Sequence, residues 1–124
     1  MIIAVDFDGT CLTDEYPGMG KDIGAVPVLR ELVQKGHRLI LLTNRSDKEL
    51  KDAEMWFQAF GIPLFGVNHN PIQWKLYKGP KIYADLYIDD LALGSPMKND
   101  KSISDKPFMD WKKVRKMLID RNIL

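Results

Sequence analysis

The chain has 124 residues, 45% hydrophobic and 28% charged, the balance of an ordinary globular protein large enough to bury a core of its own. Eighteen basic and seventeen acidic residues leave a formal net charge of +1, so no global field selects nucleic acid or an anionic membrane. The single cysteine, Cys11, excludes an intrachain disulfide and a Cys-rich zinc site.

The elements follow from hydrophobic period and punctuation. Met1 to Val5 is an apolar run that reads as a buried first strand rather than as a signal peptide, since no basic segment precedes it. Leu12 to Lys21 contains Pro17, Gly18 and Gly20 and reads as loop. A helix follows to Lys35, with Pro27 in its first turn, Leu29, Leu32 and Val33 on one face, and Gly36 as its stop. Arg38 to Leu42 is a second buried strand. Ser46-Asp47-Lys48-Glu49 has the pattern of a capping box. Leu50, Ala53, Phe57 and Phe60 would form the inner face of the helix it opens, and Asp47 with Lys51 an i,i+4 pair outside.

Leu64 to Val67 is a short third strand, and Asn68 to Pro80 a loop with a helical turn around Ile72 to Leu76. Ala84 to Ile88 is a fourth strand. Leu91 to Lys106 has no regular period, and Pro107 is placed to open a last helix with Trp111, Val114, Met117 and Leu118 inside. Strands separated by helices imply parallel pairing with right-handed crossovers: an α/β domain over residues 1–124 with helices on both sides of the sheet.

Each strand ends in polar groups: Asp6 and Asp8, Thr43 and Arg45, Asn68 to Asn70, and Asp89-Asp90. In a parallel sheet these carboxyl ends share one edge, where open α/β folds bind ligands. Desolvated carboxylates there must be paired or hold a cation. A turn after one strand would explain Asp6-Phe7-Asp8 alone; polar groups after four strands are hard to explain by packing. Arg45 could bind an anion through two hydrogen bonds or pair with Asp47, and both readings stand. Trp56 and Trp74 read as packing or surface aromatics, and Trp111 as a core anchor.

The residues Asp6-Phe7-Asp8-Gly9-Thr10, Leu41-Leu42-Thr43-Asn44-Arg45, a lysine before the fourth strand, and Tyr87-Ile88-Asp89-Asp90 occur in the order of four motifs. In this the chain resembles the small members of the haloacid dehalogenase (HAD) superfamily of phosphotransferases. The resemblance implies a three-layer α/β/α, Rossmann-like HAD core with a mainly parallel sheet and no cap domain. It implies a Mg²⁺-dependent phosphatase in which Asp6 is the nucleophile, forming an aspartyl-phosphate, and Asp8 is the general acid and base. Asp6, the backbone carbonyl of Asp8, Asp89 and Asp90 would hold the metal, and Thr43 and Asn44 would donate to the phosphoryl group.

The catalytic lysine implied by the resemblance is Lys81, with Lys78 and Lys75 as alternatives; Ile82 stands where the family has proline. Lys78, Arg45 and Asn68 are further candidates for substrate contact. The intervals Cys11–Lys21 and Asn68–Pro80 are too short for a cap. The expected partner is therefore a phosphorylated small molecule or a phosphate exposed on a larger substrate, polynucleotide ends included, with a neighbouring subunit as lid in a homo-oligomer the other arrangement. A cytoplasmic location and no membrane association are expected. Two rival classes remain: a non-catalytic or phosphoryl-transferring binding protein on the same scaffold, and a receiver domain, against which motif order argues.

Overall fold

A computed structural model describes all residues, Met1 to Leu124. In chain order the elements are β1 (Ile2–Val5), α1 (Ala25–Gln34), β2 (Arg38–Leu41), α2 (Asp47–Ala59), β3 (Gly66–Val67), α3 (Gln73–Leu76), β4 (Leu86–Ile88), β5 (Met97–Lys98), β6 (Phe108–Met109) and α4 (Trp111–Asp120). The first four strands form a parallel sheet in the order β3-β2-β1-β4. Ile3 lies between Leu39 and Leu86, and Val5 between Leu41 and Ile88.

That order dictates the layers. The chain steps the same way from β1 to β2 to β3, so right-handed crossovers put α1 and α2 on one face. There Ile3, Val5, Leu39 and Leu41 meet Leu29 and Leu32 of α1, Phe57 of α2, and Val114 and Leu118 of α4. The connection from β3 steps back past β2 and β1 to β4, and its segment covers the other face. This third layer is thin: Ile2, Ala4, Ile40 and Ala84 are covered by Phe65, Ile72 and Ile82 beside the single turn of α3. Neither the interval before α1 nor the one after β3 contains a folded insert. No helix is long and apolar enough to cross a membrane.

α1 ends as its sequence predicts. Gly36, at φ 90°, donates to the Val33 carbonyl and His37 donates to the Leu32 carbonyl, closing the last turn. The start of α2 differs. Ser46 makes no side-chain cap bond, because Asp47 adopts φ 51° and turns the chain away from capping geometry. The i,i+4 pair is Lys48 with Asp52 at 3.2 Å, one residue on from the expected Asp47 and Lys51.

β4 is shorter than expected: the Asp85 amide still donates to the Ile2 carbonyl at 2.8 Å, but side chains take the neighbouring bonds. Asp85 accepts from the Ile2 amide at 2.7 Å, and the Tyr87 hydroxyl accepts from the Ala84 amide at 3.0 Å. The region after β4 is not irregular throughout: β5 and β6 pair antiparallel. Pro107 precedes β6 instead of opening a helix, and α4 is capped by Asp110, whose carboxylate accepts from the Lys113 amide at 3.3 Å. Trp111, Val114 and Leu118 are buried, whereas Met117 is exposed.

Candidate functional site

The carboxyl ends of β1, β2 and β4 meet at one rim. Beyond β1, alternation sends Phe7 into the core, where its ring lies 5.6 Å from Trp56 and 6.1 Å from Phe57. Asp6 and Asp8, on either side of it, therefore face the rim. Gly9 then turns the chain at φ 80°, and a β-carbon there would stand 2.3 Å from an Asp90 oxygen. Only glycine lets the first loop approach the fourth so closely.

Thr10 joins the two loops. Its buried hydroxyl donates to Asp6 Oδ2 at 2.9 Å, with Asp90 Oδ1 at 3.3 Å as the alternative acceptor, and accepts from the Asp90 amide at 3.0 Å. From behind, the β6 amide of Met109 donates to the Gly9 carbonyl at 3.0 Å and Trp111 Nε1 donates to the Thr10 carbonyl at 2.7 Å. Sequence reading missed both Thr10's bridging hydroxyl and this brace; Trp111 is a core anchor whose polar end also holds the loop.

Asp6, Asp89 and Asp90 bring one carboxylate oxygen each within 4.8 Å of one another, a triad that could hold a metal ion. Asp89 also accepts from the Leu91 amide at 2.9 Å, which fixes its rotamer. Burial and then the neighbouring Asp90 push the Asp6 carboxyl up to about 8. Burial raises Asp90 as well. Hard oxygen donors in such a cluster suit a divalent cation.

Asp8 has a separate environment. Arg45, buried at 2% exposure, donates through Nε to Asp8 Oδ2 at 2.8 Å and through Nη2 to Asp8 Oδ1 at 2.7 Å. Its remaining N–H groups go to the carbonyls of Pro17, Gly18 and Glu49. All five donors are thus engaged, and the guanidinium carbon lies 5.1 Å from the Phe7 ring centre and 5.3 Å from that of Tyr16. Arg45 pairs with Asp8 rather than with Asp47, and every one of its N–H groups has a protein acceptor. It fixes Asp8 and ties the loop before α1 to the first turn of α2.

Thr43 lies beside this pair, half-buried, its hydroxyl accepting from the Arg45 amide at 3.1 Å and keeping its proton free to donate. Asn44 is exposed at the rim. Asn68, at φ 49°, is exposed at the rim, and its side-chain carbonyl oxygen accepts from the Thr43 amide at 2.8 Å. Asn70 is buried and bonded to Tyr83 and Ile72 backbone, while His69 is exposed.

None of Lys75, Lys78 and Lys81 forms an ion pair with a carboxylate. Lys81 Nζ stands 5.5 Å from the Tyr87 ring centre, and Lys81 lines one concavity with Asp89 and Leu42. Lys78 lies further along the surface, in a second concavity that shares Lys81 and Tyr87. Cys11 is fully buried, its thiol donating to the Asp6 carbonyl, and burial pushes that thiol well up.

The fold and rim define the class: a parallel α/β domain with a carboxylate cluster at the carboxyl edge of its sheet. Compared with known proteins, the chain is similar to a solved structure of a conserved protein from Bacteroides thetaiotaomicron, with 34% identity over 98% of this chain and 91% of that one, and a TM-score of 0.78. The chain belongs to the family of that conserved protein. No protein-family model matches it, and neither does any curated protein.

Proposed function

We propose that the protein is a Mg²⁺-dependent phosphomonoesterase of HAD type, working through an aspartyl-phosphate. One observation carries the reading: Asp6 lies within an acidic triad, while Asp8, two residues on, is held apart from it by Arg45. Two carboxylates in unlike environments suit two different roles.

Mg²⁺ fits the donor set of Asp6, Asp89 and Asp90, with the Asp8 main chain as a further candidate. When bound, it would neutralise the triad and the incoming phosphate. The residues perform the steps. Asp6 attacks phosphorus, and a bond from its carboxylate oxygen forms as the ester bond to phosphorus breaks. The leaving oxygen takes a proton from Asp8. Asp8 then takes a proton from water, whose oxygen attacks phosphorus and releases Asp6 and inorganic phosphate. Each Asp8 oxygen gives one lone pair to Arg45 and keeps another for this proton. The Thr43 hydroxyl and the Asn44 amide serve as donors to the phosphoryl oxygens, and Lys81 supplies positive charge from the adjoining concavity.

The substrate is a phosphorylated small molecule or a phosphate exposed on a larger one, because no insert covers the rim. One buried cysteine suits a reducing compartment, and we assign the protein to the cytoplasm. A second reading, a phosphate-binding protein without turnover, draws on the absence of any lysine paired with a carboxylate at the rim. Hydrolysis of an aryl phosphate by purified protein, with and without Mg²⁺, decides between them. Wild type is expected to turn over only with Mg²⁺, and Asp6→Asn and Asp8→Asn to lose at least a hundredfold, about the low end of an acid–base contribution. Equal rates in variants and wild type would sink the mechanism.

A further inference from the structure

We infer that the surface beside the rim is a track for a single-stranded polynucleotide whose terminal phosphate enters the site; this rests on the phosphatase reading and names its substrate. The segment from Pro71 to Ala84 carries Lys75, Lys78 and Lys81 and no acidic residue. All three lysines are exposed, and none has a carboxylate partner. The chain's net charge of +1 hides this local excess of lysine, which Asp85 and Asp89 border, Asp85 accepting from the Tyr83 hydroxyl.

Aromatic rings alternate with these charges. Trp74 is 74% exposed and Tyr77 59%, so both rings can be reached from solvent. Lys75 Nζ sits 5.1 Å from the Trp74 ring centre and Lys81 Nζ 5.5 Å from that of Tyr87. Tyr77 and Tyr83 lie 5.2 Å apart. Gln73 holds the segment in this shape, donating to the Lys81 carbonyl at 2.9 Å and accepting from the Tyr83 amide at 2.9 Å.

The concave surface is continuous with the rim. One hollow of about 410 Å³ is lined by Asp89, Lys81 and Tyr87. The next, about 420 Å³, shares Lys81 and Tyr87 and adds Tyr77, Lys78 and Tyr83. Single strands are bound by such combinations: cations spaced along the phosphates and flat rings that stack on bases of any sequence. With no insert over the rim, a strand can lie across the track while its last phosphate reaches Asp6. A free sugar phosphate would use the lysine nearest the triad and leave the rings idle.

The test measures fluorescence anisotropy of six-residue oligothymidylates, phosphorylated at the 3′ or the 5′ end and labelled at the other, with aryl phosphate hydrolysis in parallel. Expected are tighter binding of an oligomer than of thymidine monophosphate, and weakening as salt rises. Tyr77→Ala should bind the oligomer roughly tenfold more weakly, the loss of one stacked base, while Tyr77→Trp retains affinity. Aryl phosphate turnover should be unchanged in both. Lys78→Gln should bind more weakly and reduce the salt dependence. Equal oligomer affinity in Tyr77→Ala and wild type, or no preference for oligomer over monophosphate, overturns the track. Wild type that fails to hydrolyse aryl phosphate overturns the phosphatase reading, so the two fail by different measurements.

Discussion

Arg45 grips Asp8 by both carboxylate oxygens, at 2.7 and 2.8 Å, across 37 residues of sequence. Its other donors reach three backbone carbonyls, so one side chain joins the loop after β1, the loop before α1 and the start of α2. Replacing it with methionine would leave Asp8 without its buried partner at a cost of about 3 kcal/mol. We expect Arg45→Met to lower the melting temperature by roughly 10 °C. Arg45→Lys should recover only part of this, because an ammonium cannot grip both oxygens. An unchanged melting temperature with a raised KM would instead show that the arginine serves substrate.

Metal and pH are expected to act together at the triad. The folded state holds the Asp6 carboxyl at about 8, above its ordinary 3.8, so between these values the folded chain binds a proton that the unfolded chain has released. Stability of metal-free protein therefore falls as pH rises through this window, and the raised Asp90 acts in the same direction. Mg²⁺ should reverse the loss by binding the ionised carboxylates of the folded state. Thermal scans in EDTA are expected to show a lower midpoint at pH 8 than at pH 5, and Mg²⁺ to raise the midpoint more at pH 8. A Mg²⁺ effect that is flat in pH would argue that the cation binds elsewhere.

Trp111→Phe keeps the ring in the core but removes the donor to the Thr10 carbonyl. A buried acceptor left without its partner costs about 1–3 kcal/mol. The denaturation midpoint should fall accordingly. The loop carrying Asp6 also loses its brace, so Mg²⁺ affinity should weaken with it. Loss of stability with unaltered Mg²⁺ affinity would confine Trp111 to packing.

Gly9→Ala places a methyl group where Asp90 Oδ2 now stands, 2.3 Å from the new atom, at a backbone angle of φ 80°. The left-handed angle alone costs about 1–2 kcal/mol. Displacing Asp90 should additionally lower Mg²⁺ affinity by at least about tenfold. Titration followed by calorimetry checks this, and an unaltered affinity would exclude Asp90 from the metal shell.

The rim was legible because it depends on local signals: apolar runs marking strand ends, and polar residues placed just beyond them. Asp6, Asp89 and Asp90 could be put at one edge by topology alone. Arg45 could not be resolved between partners, since its true partner, Asp8, lies in the loop after another strand and only packing brings the two together. Asn68 is a similar case: its place at the rim is visible in sequence, but its bond to the Thr43 amide is not. The two-residue strands β5 and β6 are too short for alternation to show, and Met109 is extended through its bond to Gly9, a partner 100 positions earlier.

The thin third layer divides the molecule by firmness. Three helices clamp one face of the sheet, whereas the other relies on a single turn and on polar side chains such as Asn70 and Gln73. Segments with so few apolar contacts open at lower free energy than the body they rest on. Amides of Ile72 to Tyr83 should therefore exchange hydrogen long before those of β1 and β2. The groups that must keep their geometry are anchored in the slow half, and the rings and lysines beside them in the fast half, free to adjust to what arrives.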